Sequence, residues 1–183
     1  LEMITETTIA YLNAQIDAGA DTLQLFDSWG GLLSPDDFET WSLQYMRKIV
    51  AGINNRVPII LFAKGAWHSL NEMKATGAAG LGIDWCIRPE EARKIVGNDV
   101  VLQGNFDPAK LLAPKEEVIK ATQKMLNFFG KQFHPIKFYS YYDYLWQASN
   151  DHMPLIIHNH FVQSQDQGHH IRRIAIILSV FFS

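Results

Sequence analysis

The sequence predicts an α/β fold in which short strands alternate with helices. Four short apolar runs are separated by longer segments whose apolar residues recur at helical spacing. Residues 34–37 read Ser-Pro-Asp-Asp, a typical helix start, and a glycine follows most of the helical segments. Strands and helices that alternate through short connections form parallel β-α units. Four such units make either a complete small open sheet or half of a closed eight-stranded barrel, and the pattern is typical of both.

The first part of the chain contains two helices with a strand between them. Residues 1–18 carry apolar residues at helical spacing, and a short strand is predicted over residues 22–26. Ser34 is expected to cap the second helix, because its hydroxyl can accept a hydrogen bond from the first turn. Pro35 suits the first helical position, and the aspartates after it are favoured by the helix dipole. This helix should end near residues 52–55.

The next strand, over residues 57–62, is a continuous apolar run, which is typical of a parallel strand buried on both faces. The same alternation of strands and glycine-terminated helices continues to Gly130. The remaining predicted elements are a helix over 69–76, a strand over 79–83, a helix over 89–96, a strand over 100–103 and a helix over 114–129. Residues 1–130 therefore form one predicted α/β unit.

The character of the sequence changes after this unit. Residues 131–183 contain no glutamate, six of the seven histidines and ten of the 22 aromatic residues of the chain. In the aromatic run at 138–146, the apolar residues recur neither with the two-residue period of a strand nor with the 3.6-residue period of a helix. Local signals that disagree with one another are untypical of a well-folded segment. We therefore predict a domain over 1–130 followed by an unrelated tail over 131–183, produced by a frame shift or disordered.

Composition limits the classes of function. A net charge of −3 and a pI near 6.2 give no electrostatic basis for binding nucleic acid or an anionic membrane. Cys86 is the single cysteine, which rules out an intrachain disulfide and favours a cytoplasmic location. Neither a signal peptide nor an uncharged run of about 18 residues, enough to span a bilayer, is found. The chain starts in what reads as the middle of a helix, and we expect it to be a fragment.

Polar residues follow each predicted strand at its carboxyl end. In parallel β-α proteins these ends lie on one face around one cleft, where ligands bind. Carboxylates, an ammonium, a hydroxyl and a carboxamide together suit acid–base chemistry or anion binding. The candidate cleft residues are Asp27, Ser28, Lys64, Asp84 and Asn105. Structural explanations remain open for each acid or amide: Asp27 pairing with Lys64, Asp84 capping a turn, and Asn105 starting an Asx turn.

Other motifs carry less information. Gly30 and Gly31 precede a helix and would allow backbone N–H groups to face an anion, although a tight turn explains them equally well. The phosphate-binding, dinucleotide-binding and nucleophile-elbow motifs are absent. The histidine pairs at 158–160 and 169–170 lack the supporting ligands of a zinc site, so no metal is expected. Cys86 is expected to be a small buried apolar residue.

Several segments, taken in order, resemble the uroporphyrinogen decarboxylase family. The resemblance covers residues 1 to about 130, and the ordered set is specific although each piece is short. The segments are YLNAQI and AGA within residues 11–20, FDSWGG at 26–31, VP at 57–58, FAKG at 62–65, LGIDW at 81–85, and LQGN followed by DP within 102–108.

The resemblance implies a (β/α)8 TIM barrel of which residues 1–130 supply the fourth to seventh strands. It also implies a cytoplasmic homodimer without metal or organic cofactor. The family decarboxylates the four acetate side chains of uroporphyrinogen III to give coproporphyrinogen III in haem biosynthesis. Such an enzyme positions substrate carboxylates, stabilises a protonated pyrrole ring and supplies a proton. Ser28 matches the family's hydroxyl position that contacts substrate.

Two departures from the family limit what is expected of this chain. The first three strands, with an arginine-rich loop, an aspartate and a tyrosine, have no counterpart, and the Asn-Leu-Gly-His-Gly motif of the eighth strand has no match after Gly130. No catalytic residue is therefore assigned. Four adjacent units would also leave both outer sheet edges open. We expect the chain alone to be inactive.

Two alternatives remain open. A related corrinoid-type methyltransferase would use a His-x-Cys zinc pair after a barrel strand, where this chain has Phe-Ala-Lys-Gly at 62–65. From a different class, the chain would be a non-catalytic anion-binding α/β domain that uses Gly30, Gly31 and Lys64.

Overall fold

A computed structural model of the chain describes residues 1–130 and a strand at 174–179. All neighbouring strands are parallel, and their order in the sheet is β4-β3-β2-β1-β5. The strands are β1 (Thr22–Asp27), β2 (Ile59–Ala63), β3 (Gly80–Gly82), β4 (Val101–Gln103) and β5 (Ile174–Ser179). The first four are the predicted strands, with bounds that differ by one or two residues.

The helices connect the strands as predicted, and Ser34 caps its helix by accepting a 3.2 Å hydrogen bond from the Asp37 N–H. A π-helical turn, Glu39–Leu43, interrupts this helix, and no sequence pattern indicated it. Among the described residues, no helix combines the length and the apolar character that crossing a membrane requires. The helices are α1 (Glu2–Asp17), α2 (Pro35–Phe38), α3 (Gln44–Ile53), α4 (Leu70–Lys74), α5 (Pro89–Val96) and α6 (Lys115–Gly130).

The two faces of the sheet differ in composition, because successive side chains of a strand point to opposite faces. The helix-covered face contributes aliphatic residues to the main hydrophobic cluster: Leu23, Leu25, Ile59, Leu61, Ala63, Leu81 and Leu102. The other face carries a mixture of polar, aromatic and glycine residues with two aliphatic ones: Thr22, Gln24, Phe26, Ile60, Phe62, Gly80, Gly82, Val101 and Gln103. The described helices therefore pack against the aliphatic face of β1 to β4.

The face opposite the aliphatic one is concave. The Gln24 side chain on β1 donates a 2.9 Å hydrogen bond to the Gln103 side chain on β4, three strand spacings away. In a flat sheet these strands would lie about 14 Å apart, and side chains perpendicular to the sheet would stay that far apart. The contact requires the sheet to curl toward this face, as the strands of a barrel do. The curvature supports the partial barrel over a flat open sheet.

Strand β5 is the main difference from the sequence prediction. It pairs with β1 along its whole length, from Thr22 opposite Ile174 to Asp27 opposite Ser179. The outer edge of β1, which we expected to be open, is therefore covered by the tail of the same chain. Residues 131–173 and 180–183 lie outside the described part of the chain, and so does the prediction that they are disordered.

Candidate functional site

Four of the five candidate residues lie in one row at the carboxyl ends of the strands. The register places Phe26, Phe62, Gly82 and Gln103 side by side across β1 to β4. Hydrogen bonds from the Lys64 N–H to the Asp27 carbonyl (2.9 Å) and from the Ile83 N–H to the Gln103 carbonyl (2.8 Å) continue the pairing past the strand ends. Ser28, Lys64, Asp84 and Asn105 each follow two positions after a residue of this row, just past the strand ends. We call these four residues the mouth row.

Asp27 is out of phase with the mouth row and faces the helices. It is 2% exposed, and its Oδ2 accepts a 2.6 Å hydrogen bond from the hydroxyl of Ser42 on the π-helical turn. Its Oδ1 accepts from the Trp29 N–H at 3.0 Å. The ion pairs formed within the described part of the chain do not include one between Asp27 and Lys64. Asp27 therefore shapes the loop after β1.

Asp84 holds two neighbouring loops together. It is 7% exposed; its Oδ1 accepts from the Cys86 N–H at 2.7 Å, and its Oδ2 accepts from the Gly65 N–H. The Asn105 amide donates to the carbonyls of Asp84 (3.1 Å) and Ile87 (2.7 Å). These contacts match the structural explanation of Asp84 as a turn cap. Both residues fix the loops that surround the mouth row.

The glycines after β1 allow their backbone to pack closely against neighbouring segments. The Gly31 N–H donates a 2.8 Å hydrogen bond to the Lys64 carbonyl, and a Cβ on Gly31 would lie 2.5 Å from the backbone of Gly65. A Cβ on Gly30 would lie 3.0 Å from Asp27 Oδ2. Because the Gly31 N–H already has an acceptor, it is not available to an anion. This contact weakens the hypothesis of an anion site built on Gly30 and Gly31.

Ser28 and Lys64 are the mouth-row residues whose side chains have neither a hydrogen bond nor an ion pair among the described residues. Ser28 is half-buried and Lys64 is exposed. The Lys64 ammonium lies 5.4 Å from the centroid of the Trp85 ring, a cation–π distance. Below them, the rings of Phe26 and Phe62 meet edge to face with centroids 5.2 Å apart. The site thus combines one cation and one hydroxyl above an aromatic floor.

Cys86 corrects one expectation, because it is exposed instead of buried. Desolvation, followed by the charge and hydrogen bond of Asp84, raises the pKa of the Cys86 thiol above its usual value. The Lys64 ammonium acts in the opposite direction and lowers that pKa. The thiol therefore lies within the electrostatic range of both mouth-row charges.

No group of three or more metal-ligating side chains occurs within residues 1–130. The histidine pairs at 158–160 and 169–170 lie outside the described residues. Sequence reasoning missed Ser42 and the Gln24–Gln103 pair. A signal existed for the glutamines, since each is a polar residue in a mainly apolar strand. No local signal marked Ser42, because its role depends on the π-helical turn.

Comparison with known proteins agrees with the geometry. A family model described as uroporphyrinogen decarboxylase (URO-D) matches residues 1–138. The chain is 46% identical over 131 residues to the uroporphyrinogen decarboxylase of Christiangramia forsetii, and the match covers 72% of this chain and 38% of that protein. The corresponding protein of Neisseria gonorrhoeae is 47% identical over 135 residues, covering 71% of this chain and 38% of its own length.

A solved methyltransferase from Methanosarcina mazei is also similar, with a TM-score of 0.58 and 29% identity over 66% of this chain and 36% of that one. The family match favours neither the methyltransferase alternative nor the non-catalytic one. The chain spans 38% of the length of the curated relatives it matches. Family match and relatives together show that the chain belongs to the uroporphyrinogen decarboxylase family.

Proposed function

We propose that the protein to which this chain belongs decarboxylates the acetate side chains of uroporphyrinogen III to give coproporphyrinogen III. The mouth row is the observation that supports the proposal, because Ser28 and Lys64 follow directly on the paired residues Asp27 and Ala63 at the carboxyl ends of neighbouring parallel strands in a member of this family. A substrate with several carboxylates on an apolar ring system needs polar contacts at its rim and apolar contacts under its rings. The aromatic pair below the row, Phe26 and Phe62, suits the second requirement.

In the proposed reaction the substrate supplies its own electron sink. A pyrrole carbon is protonated, the acetate C–C bond breaks with loss of carbon dioxide, and its electron pair returns to the ring. A second proton then converts the side-chain carbon to a methyl group and the first proton leaves the pyrrole carbon, so that each acetate carboxylate consumes one proton and releases one carbon dioxide. This scheme calls on no metal or organic cofactor. The enzyme contributes orientation, stabilisation of the transient cation, and a proton donor.

The residues of this chain divide into two groups in the proposal. Ser28 donates a hydrogen bond to a substrate carboxylate. Asp27, Asp84 and Asn105 act indirectly, because their described hydrogen bonds hold the loops after the strands in place. No proton donor is assigned within this chain. Since the chain spans 38% of its relatives' length, we expect it to bind substrate weakly and to lack activity alone.

The proposal extends to the setting of the full-length protein. A tetrapyrrole is its partner, and we place it in the cytoplasm as a homodimer. The support is the family membership together with the single cysteine. Sedimentation of a full-length version would check the dimer: a single monomeric species at micromolar concentration would contradict it.

A chimera tests the activity. Residues 1–130 of this chain would replace the matching segment of the Christiangramia forsetii relative, with and without Ser28→Ala. We expect the chimera to convert uroporphyrinogen to coproporphyrinogen. Ser28→Ala should lower kcat/KM about tenfold, since a hydrogen bond to a charged group contributes about 1.5–3 kcal/mol. A folded chimera that leaves uroporphyrinogen unchanged would overturn the proposal.

A further inference from the structure

Lys64 is the cation in the mouth row, and it has no carboxylate partner among the ion pairs of the described residues. We infer that Lys64 and Trp85 form a binding subsite for one carboxylate of a ring-bearing organic acid. The identity of that acid as a tetrapyrrole rests on the proposed function. The subsite itself rests on four observations: a fixed backbone, an ammonium without an ion-pair partner among the described residues, an exposed indole, and three neighbouring backbone N–H groups that already have protein acceptors.

The backbone around Lys64 is held on both sides. The Lys64 N–H donates to the Asp27 carbonyl at 2.9 Å, and the Lys64 carbonyl accepts from Gly31 at 2.8 Å. The next N–H, of Gly65, donates to the carboxylate of Asp84. These contacts link the segment to the loops after β1 and β3. The side chain therefore projects from a platform that is already ordered when a ligand arrives, which lowers the entropic cost of binding.

Trp85 gives the subsite its preference for a ring. The indole is 42% exposed, and its ring lies 5.4 Å from the Lys64 ammonium. A cation–π contact of this kind restrains the ammonium without neutralising it. A ligand that carries a carboxylate on a flat apolar ring can therefore meet the ammonium with one group and the indole with the other. Ser28, one strand away in the same row, offers a second donor to the same ligand.

The backbone hydrogen bonds argue against a phosphate site. Phosphate sites in α/β proteins usually collect several free N–H groups from a glycine-rich turn. Here the N–H groups of Gly31, Gly65 and Cys86 already donate to acceptors of the protein. A single ammonium with an aromatic neighbour is better suited to a carboxylate on an organic ring.

The test uses the full 183-residue chain and two probes. The first is uroporphyrin, an aromatic tetrapyrrole polycarboxylate, and the second is trimesate, a small aromatic tricarboxylate. Binding would be measured by tryptophan fluorescence and by calorimetry at two ionic strengths. We expect Lys64→Gln to lower the affinity for both probes about tenfold and to reduce the salt dependence of binding. Lys64→Arg should retain most of the affinity, because it keeps the charge.

Lys94→Gln is the matched control. Lys94 is also exposed but lies on the outer helix α5, and its loss should leave both affinities unchanged. Trp85→Leu should lower the affinity for both aromatic probes while leaving any affinity for inorganic phosphate unchanged.

The outcomes separate this inference from the proposed function. If Ser28→Ala weakens uroporphyrin binding and Lys64→Gln does not, the subsite is wrong and the proposed function stands. If trimesate binds through Lys64 while uroporphyrin does not bind, the subsite stands and the tetrapyrrole assignment fails. Equal losses for Lys64→Gln and Lys94→Gln, or binding of neither probe by the folded chain, would overturn the inference.

Discussion

The two faces of the sheet are made by the same four strands but differ in composition. The helix-covered face is aliphatic and almost fully buried, with Leu25, Leu61 and Leu81 all at 0% exposure. The concave face carries glutamines, phenylalanines and glycines, and the mouth row continues it. Aliphatic burial contributes stability wherever it is complete. A face that mixes polar, aromatic and small residues is instead typical of a surface that receives a ligand.

Asp27 and Ser28 show the difference at the scale of one residue. They are consecutive, so their side chains leave on opposite sides. Asp27 faces the helices, and its carboxylate accepts hydrogen bonds from the Ser42 hydroxyl and from the Trp29 N–H. Ser28 turns to the concave face beside Lys64. Stability and binding should therefore respond to different substitutions, and matched residues from the two faces can be compared directly.

The largest expected effect is on the helix-covered face. Leu61→Ala removes a fully buried side chain from the cluster and should lower the free energy of unfolding by about 3 kcal/mol. Phe62→Ala, next to it but on the concave face, removes a half-buried ring and should cost about 1–2 kcal/mol. Urea unfolding followed by circular dichroism measures both. Equal losses would mean that the concave face is packed as tightly as the other.

The second prediction concerns the contact between the loops after β1 and β2. Gly31→Ala would place a Cβ 2.5 Å from the backbone of Gly65, which has no flexible side chain to move aside. It should cost about 2–3 kcal/mol and weaken uroporphyrin binding. Gly77→Ala is the control: its Cβ meets nothing within 4 Å, and only its φ of +86° opposes alanine. The control should cost about 1 kcal/mol and leave binding unchanged.

The third prediction compares two serines. Ser42→Ala removes the hydroxyl that donates to the buried Asp27 carboxylate and should cost about 2 kcal/mol of unfolding free energy. Ser28→Ala should change stability by less than about 0.5 kcal/mol and weaken uroporphyrin binding instead. The pair is measured by urea unfolding and by fluorescence titration. If Ser28→Ala destabilised the chain as much as Ser42→Ala, Ser28 would be structural too.

The sequence predicted the strands well because parallel β-α units carry local signals. The apolar runs, the Ser34 cap and the glycines after the helices each act within a few residues. The alternation of side chains along a strand also separates Asp27 from the mouth row, since Ser28, Lys64, Asp84 and Asn105 keep one phase and Asp27 does not. Asp27 lies at a strand end like the other candidates, and only its phase in the alternation separates it from them.

Other features depend on contacts far apart in the sequence, and no local pattern reports them. The pairing of β5 with β1 joins residues about 150 positions apart. The N–H groups that donate to the Asp84 carboxylate come from the loops after two different strands. The exposure of Cys86 follows from how those loops pack. Such features follow from tertiary packing, which overrides single-residue expectations.

The smallest expected effect is on Cys86, and it reports where the Lys64 ammonium lies. Desolvation and the Asp84 carboxylate raise the pKa of this thiol, and Lys64 lowers it. Removing the cation disfavours the thiolate, so Lys64→Gln should raise the thiol pKa further. At pH values below that pKa, less thiolate is present, and alkylation by iodoacetamide should slow about twofold.

The measurement is clean because Cys86 is the single cysteine of the chain. Mass spectrometry of the alkylated chain over a pH series gives the rate and its midpoint. Lys94→Gln on α5 removes an equal charge from elsewhere and should leave the midpoint in place. A midpoint that also stayed in place for Lys64→Gln would mean that the ammonium points away from Trp85 and Cys86. The concave face would then lack the cation that distinguishes it from the helix-covered face.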